Sequence, residues 1–376
     1  MTLAPSNMVA VVGAGIGGLA AAIALTRIGR DVAVYEQAPH FQRVGTAINL
    51  TPNAVKVVDG LGLGAHARVR ACRPTHRVSR TWDTGAETSR LEMSQAAERR
   101  YGAPQLTMHR ADLLAALEAA LPQGTIHLGK RLVGLTQDED GVALTFADGT
   151  HARAAAVIGA DGIHSSVREL VFGAEAPRFA GMVGYRSLVP ARRIGRYDGD
   201  AFIKWWGPTQ QSMLITFLIN GGEDLYIFAT RAEESWRQES WSSEGDVREL
   251  RAAYAGFHRE ARDVLEECRD VLKTALYERD PLEHWAKGRV CLLGDACHPM
   301  MPFMAQGAAM GLEDAAILAR CIEAESSLAG ALGRYETTRL GRASTIQLVS
   351  RENDFLRTGI DADWVYGYDA WRAALG

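Results

Sequence analysis

The features this chain lacks narrow its class first. Cysteine is scarce: Cys72, Cys268, Cys291, Cys297 and Cys321 are an odd five with no Cys-x-x-Cys pair. Neither a disulfide framework nor a zinc ribbon fits that spacing, and free or buried thiols in a reducing cytoplasm are expected, with no bound metal. Neither sign of charge dominates, since 41 Lys and Arg stand against 45 Asp and Glu, a formal net charge of −4. Without a polybasic run, neither nucleic acid nor an anionic membrane surface is an expected partner. The apolar runs are shorter than the ~20 residues of a membrane span. The opening MTLAPSNMVAVVGAG has no positive start, so a secretory signal is not expected. No internal repeat or low-complexity tract is present. What remains is 376 residues, 47% of them hydrophobic, enough for a large core and for two domains.

The amino end carries the first strong pattern. Met8 to Val12 is apolar and β-branched, and it runs into Gly13-Ala14-Gly15-Ile16-Gly17-Gly18. Leu19 to Ile28 follows as a strong helix former, and Asp31 to Glu36 reads as a second strand ending in an acid. Gly13, Gly15 and Gly18 satisfy G-x-G-x-x-G. The first permits a tight turn, the second leaves room for a pyrophosphate, and the third lets helix and strand approach. The free N–H groups of the helix start attract the phosphates. Glu36 is placed to accept ribose hydroxyls and to repel a 2′-phosphate. Dinucleotide binding follows, with FAD and NAD both open at this point.

Two later units repeat the strand-to-loop plan. Ala154 to Ala160 enters Asp161-Gly162 and then a helix start that Ser165 or Ser166 can cap. Arg289 to Leu293 enters Gly294-Asp295, a Pro-bounded loop and a helix from Gly307. In a parallel sheet such loops gather at the carboxyl edge, where ligands sit. Pro299 and Pro302 stiffen the last loop, and the helix start near Gly307 offers N–H donors to negative charge.

GAGIGG, GADGIHSSVR and LLGDACHPMMPFMAQGAAMGLEDA, in that order and separation, resemble the single-component FAD-dependent aromatic hydroxylases, the p-hydroxybenzoate and salicylate hydroxylase superfamily. Within it, YEQAP (35–39), HRADLLA (109–115), KWW (204–206), MAQGA (304–308) and WVYGYD (364–369) are most similar to the branch that acts on 6-hydroxynicotinate. The resemblance implies an α/β fold: a Rossmann-like FAD-binding domain of the p-hydroxybenzoate hydroxylase type, an antiparallel-sheet substrate domain and C-terminal helices. The expected boundaries are 1–75, 103–180 and 276–356 for the FAD domain, 76–102 and 181–275 for the substrate domain, and 357–376 for a tail. It further implies tightly bound FAD, NADH or NADPH as transient electron donor, and O₂. A flavin C4a-hydroperoxide would hydroxylate a small hydroxylated aromatic acid or hydroxypyridine, with CO₂ lost if the attacked carbon bears a carboxylate. Gly13, Gly15, Ile16, Gly17, Gly18, Glu36, Gln37, Arg43, Ala47, Arg110, Val133, Asp161, Asp295, Pro302, Gly307 and Ala308 are the implied cofactor contacts. Ala305 stands where the family pattern P-x-x-G-Q-G has glycine. A homodimer is a further expectation.

Candidate catalytic or pocket residues are Asn49, Phe202, Gln211, Met213, Thr216, His298 and Phe303, with Arg186 for a carboxylate. His298 has a second reading, a structural histidine bonded to nearby backbone. The hydroxynicotinate branch implies histidine near 49 and 303, and His and Tyr within 211–216. Here stand Asn49 and Phe303, with no His or Tyr from 205 to 225. A less polar pocket suits a phenol, salicylate or hydroxybenzoate equally. A flavin dehydrogenase or oxidase, and a protein that keeps FAD only as a structural or redox-sensing ligand, are the rival classes.

Overall fold

The computed structural model describes residues 7–41, 47–195, 197–236, 243–353 and 361–376. Its central sheet has six strands in the order Ala286–Lys287, Val290–Leu292, Ala156–Gly159, Val9–Val12, Val32–Tyr35, Ile126–His127. All neighbours run parallel except the first pair. Val9–Val12 is buried throughout, as a strand covered on both faces must be. The parallel register brings the carboxyl ends at Val12, Tyr35, Gly159 and Leu292 to one rim.

Helices cover this sheet. Ile16–Arg27 is buried along most of its length. It packs against Gly307–Ala324, which in turn packs on Leu328–Glu352. That last helix runs for 25 residues. Residues 361–376, expected as a tail, are folded into the body: Val365, Tyr366 and Ala370 are fully buried. A three-stranded antiparallel sheet, Leu132–Asp138 with Gly141–Phe146 and His151–Ala154, flanks the main one.

The second large sheet has seven strands: Leu272–Glu278, Arg178–Pro190, Asp224–Ala232, Met213–Ile219, Ala201–Trp206, His76–Thr81 and Glu87–Glu92. It is antiparallel apart from the pairing of Ala201–Trp206 with His76–Thr81. Its residues alternate between two apolar clusters. Tyr185, Ile203, Trp205, Leu214, Ile227 and Ala229 face helices Val247–Ala253 and Arg259–Glu266. Phe202, Met213, Ile215, Phe217, Tyr226 and Phe228 face the opposite way, toward Met301 and Phe303. Both faces are buried, so the sequence shows little polar alternation here. The charged helices end at Glu266, and Leu272 opens an edge strand.

Candidate active site

The cofactor cleft begins where strand Val9–Val12 stops. Gly13 sits at φ +104, a left-handed conformation, and a Cβ there would lie 2.4 Å from the Ala160 carbonyl oxygen. At Gly18 a Cβ would lie 2.0 Å from the Gly13 oxygen, whereas at Gly15 it would meet nothing within 4 Å. Gly13 and Gly18 are therefore needed by the fold, and Gly15 leaves space that the fold does not fill. Glu36 braces the turn: one oxygen accepts the Ala14 N–H and the other the Ala38 N–H, each at 2.8 Å. A carboxylate has about four acceptor positions, so capacity remains for a ribose.

Gly13, Gly15, Ile16, Gly17, Glu36, Gln37, Arg110, Asp161, Asp295, Gly307 and Ala308 line one cleft of about 290 Å³. These residues, distant from one another in sequence, thus border one space. Two helices, Ile16–Arg27 and Gly307–Ala324, begin at this cleft, and neither has a side-chain cap. Their free N–H groups make two ready anion sites. These features fit FAD: unfilled space beside Gly15, an acid at the second strand's end, and two uncapped helix starts in the lining.

The cleft's charges face its open space: Arg110 and Asp295 are solvent-exposed there and Asp161 is half-buried, yet the protein packed around them still shifts their titration. Arg110 begins helix Arg110–Ala119; burial lowers its pKa, and the Asp295 charge opposes that shift. Desolvation by the surrounding protein pushes the Asp295 carboxyl up, with His298 and Arg110 pulling it down. Asp161 is also raised by burial. Its oxygens accept from Ser165 Oγ and, at 3.1 Å, from the Val167 N–H. Ser165 in turn caps the next helix at the Arg168 N–H, 2.9 Å away. Asp161 thus shapes the cleft wall as well as lining it.

Asp295 is the junction of three cavities. One beyond it is an aromatic slot of about 240 Å³. Phe202, Ile215, Phe217, Tyr226 and Phe228 form its sheet side; Ala47, Asn49, Met300, Pro302, Ala305, Gly307 and Ala308 form the loop side. Phe202 and Phe217 stack at 5.0 Å. Arg186 is the only cation among the described lining residues, and its guanidinium lies 4.9 Å from the Phe228 ring centre. Arg186 also borders the third cavity with His164, Trp236, Tyr277 and Pro299. Asn49 is 8% exposed; its Oδ1 accepts from Gln105 Nε2 at 2.8 Å, while its Nδ2 is buried with no partner among the described residues. Ala305 adopts φ +57, the left-handed region where the family pattern has glycine.

Several sequence candidates lie elsewhere. Gln211 is exposed in the turn before Met213–Ile219. Thr216 faces the other side of the sheet from Ile215 and Phe217, and accepts from the Tyr197 hydroxyl at 3.2 Å in a separate cavity. Strand alternation sends these neighbours to opposite faces. Val133 is 51% exposed, and the adjacent Leu132 lines the cleft instead. Met213 and Phe303 are buried in the aromatic cluster behind the slot. Gly18 lies beneath the cleft and does not line it. Arg43 falls outside the described residues. His298 is buried, and its Nε2 lies 2.6 Å from Asp314 Oδ2. Its partner is therefore a side chain on Gly307–Ala324 and not nearby backbone. Cys297, His298 and Asp314 are close enough to suggest a metal, but Asp314 is already engaged by His298, Arg339 Nε and the Gly294 N–H. Tyr226 and Phe228 escaped the sequence reading, although they lie two apart, on one face of strand Asp224–Ala232.

Known proteins agree with this geometry. A family model described as "FAD binding domain" matches residues 6–348. The chain is 42% identical to 6-hydroxynicotinate 3-monooxygenase of Bordetella bronchiseptica, over 98% of this chain and 96% of that enzyme. It is 37% identical to 3-amino-4-hydroxybenzoate 2-monooxygenase of Streptomyces cremeus, over 91% and 86%. Among solved structures, a salicylate hydroxylase substrate complex superposes with a TM-score of 0.84 at 28% identity, over 97% of this chain and 96% of that one. Klebsiella pneumoniae HpxO complexed with FAD and uric acid gives 0.83 at 26%, over 96% and 91%. The glycine turn, Glu36, the loop at Asp295 and these likenesses together show that the chain belongs to the FAD-binding-domain family and is an FAD-dependent aromatic monooxygenase.

Proposed function

We propose that this monooxygenase consumes NADH or NADPH and hydroxylates a small hydroxylated aromatic acid, with hydroxypyridine carboxylates such as 6-hydroxynicotinate first and hydroxybenzoates second. One observation carries the reading: an aromatic slot with a single cation and an unmet amide donor opens at Asp295 onto the cofactor cleft. Bound FAD, reduced by the nicotinamide nucleotide, supplies activation of O₂ and transfer of one oxygen atom.

The chain's own residues do the rest. Phe202, Phe217 and Phe228 offer flat apolar surface to an aromatic ring and keep water from it. Arg186 pairs with the carboxylate through a charge-assisted hydrogen bond. Asn49, its amide oriented by Gln105, donates Nδ2–H to the ring oxygen. An unmet buried donor costs about 1–3 kcal/mol, which that bond would recover. In 6-hydroxynicotinate the carboxylate carbon is para to the hydroxyl, so substitution there expels CO₂. A carbon bearing hydrogen would release a proton.

The test is NADH oxidation with product mass for 6-hydroxynicotinate, 3-hydroxybenzoate and salicylate, against 2-hydroxypyridine and phenol, which lack the carboxylate. The acids should be turned over at lower KM. Arg186→Met should raise the KM of the acids roughly ten- to a hundredfold, the loss of a charged hydrogen bond of about 1.5–3 kcal/mol, and leave the uncharged compounds nearly unchanged. A parent enzyme that prefers phenol, or a variant that keeps its preference for acids, would overturn the assignment.

A further inference from the structure

A buried polar chain leads away from the cofactor loop and ends in residues 361–376. Gln306 immediately precedes helix Gly307–Ala324, whose first residues line both cofactor cleft and slot. Gln306 is fully buried and held on both sides: its Nε2 donates to Thr51 Oγ1 at 2.8 Å, and its Oε1 accepts from Asn53 Nδ2 at 2.9 Å. Asn53 Nδ2 also reaches Glu313 Oε1 at 2.7 Å. Glu313, fully buried, accepts from Arg339 Nη1 and from Arg342 Nε, each at 2.8 Å. Arg342 then donates to the Trp364 and Val365 carbonyls, both at 3.0 Å, and lies 3.9 Å from the Tyr368 ring centre.

A second chain starts from the same terminal segment. The buried Tyr366 hydroxyl accepts from Arg77 Nη1 at 2.7 Å. The Arg77 guanidinium sits 4.4 Å from the ring centre of Phe202, a wall of the aromatic slot. Lys56 Nζ fixes the segment's backbone by donating to the Tyr366 and Gly367 carbonyls at 3.1 and 2.8 Å.

We propose that the segment 361–376 is a strut that positions the active site through two arms. One runs Arg342–Glu313–Asn53–Gln306 to the cofactor loop; the other runs Tyr366–Arg77–Phe202 to the slot wall. None of these groups except Phe202 lines the cavities, so each acts on the site through another. A buried polar chain is stiff when all its members are satisfied, and moving one end displaces the other. The cofactor arm rests only on FAD binding. The slot arm rests on the aromatic-acid reading given above.

Two variants separate the arms. Asn53→Ala cuts Gln306 from Glu313 and leaves the Glu313–Arg339–Arg342 cluster intact. In the FAD-loaded protein it should shift the flavin absorption bands and midpoint potential, raise the FAD Kd several-fold, and change aromatic-acid affinity less than twofold. Should it fail to fold, Thr51→Val removes the other partner of Gln306 and carries the same expectation. Tyr366→Phe should weaken aromatic-acid binding several-fold, read as perturbation of the flavin spectrum, and leave the potential unchanged. Flavin properties unmoved by Asn53→Ala and Thr51→Val, or acid affinity unmoved by Tyr366→Phe, would overturn the corresponding arm even if the melting temperature falls. If the parent binds no aromatic acid while the Asn53 result holds, the substrate reading and the slot arm fail and the cofactor arm stands.

Discussion

At the scale of single residues, the glycine turn separates folding from binding. Gly15→Ala should leave the melting temperature of the apo-protein nearly unchanged, because its Cβ meets nothing within 4 Å, and should weaken FAD binding at least tenfold. Gly18→Ala drives a Cβ into the Gly13 carbonyl. Overpacking of that kind costs about 1–3 kcal/mol or more, so the apo-protein itself should lose stability. Thermal melts and flavin titration of the two variants check the contrast. Asp295 yields a pH signature. Desolvation raises its carboxyl above 3.8, so the folded state favours the protonated form. That contribution is fully present below the unfolded pKa and is lost as pH rises through the raised folded value. Asparagine stays neutral. The stability advantage of apo Asp295→Asn over the parent should therefore grow as pH climbs past 3.8 and then level off, while FAD affinity falls. A difference constant with pH would contradict the desolvated carboxylate.

At the scale of elements, strand alternation decides which neighbours touch substrate. Ile215 and Phe217 face the slot and Thr216 faces away. Thr216→Val should leave aromatic-acid KM within about twofold, whereas Phe217→Ala, which removes a stacked wall of the slot, should raise it tenfold or more. Loss of a buried aromatic also costs about 3–5 kcal/mol of stability, so KM is read at a temperature where the variant is folded. The same alternation explains what was legible beforehand. Each strand-to-loop unit at Gly13, Asp161 and Asp295 could be read locally, because a turn, a cap or a phosphate site is built from residues close in sequence. The cofactor cleft followed from three such units in a parallel sheet. The slot did not. Both faces of the seven-stranded sheet are apolar, so 211–216 gave no sign of which residues point inward, and Thr216 and Gln211 drew attention that Ile215 and Tyr226 warranted. His298 read as a catalytic candidate because its partner Asp314 lies about two turns into Gly307–Ala324, a pairing no local pattern displays. Leu132 and Val133 differ for the same reason of alternation.

At the scale of the whole molecule, the two sheets share one junction, and a buried ion cluster ties the C-terminal segment to it. Glu313 is held below the usual carboxylate range despite its burial, because the charges of Arg342 and Arg339 outweigh desolvation. Glu313→Gln would leave two buried guanidiniums short of a charge. It should lower stability by about 3–5 kcal/mol, read by denaturant unfolding of the apo-protein. Ala305 shows that the loop tolerates strain beside the slot: its left-handed backbone costs an alanine roughly 1–2 kcal/mol. The core fold was legible because its signals are local; the binding of residues 361–376 into it was not, since WVYGYD gains its partners from helices and strands far away in sequence.

The most direct test of oxygen transfer by this arrangement is a single turnover series under ¹⁸O₂. FAD-loaded protein is supplied with NADH and each carboxylated hydroxyaromatic in turn, and products are weighed by mass spectrometry. Incorporation of one ¹⁸O atom into a ring product, with or without loss of CO₂, is the expected result. Unlabelled product, or NADH oxidation that yields only hydrogen peroxide with every aromatic acid, would contradict it.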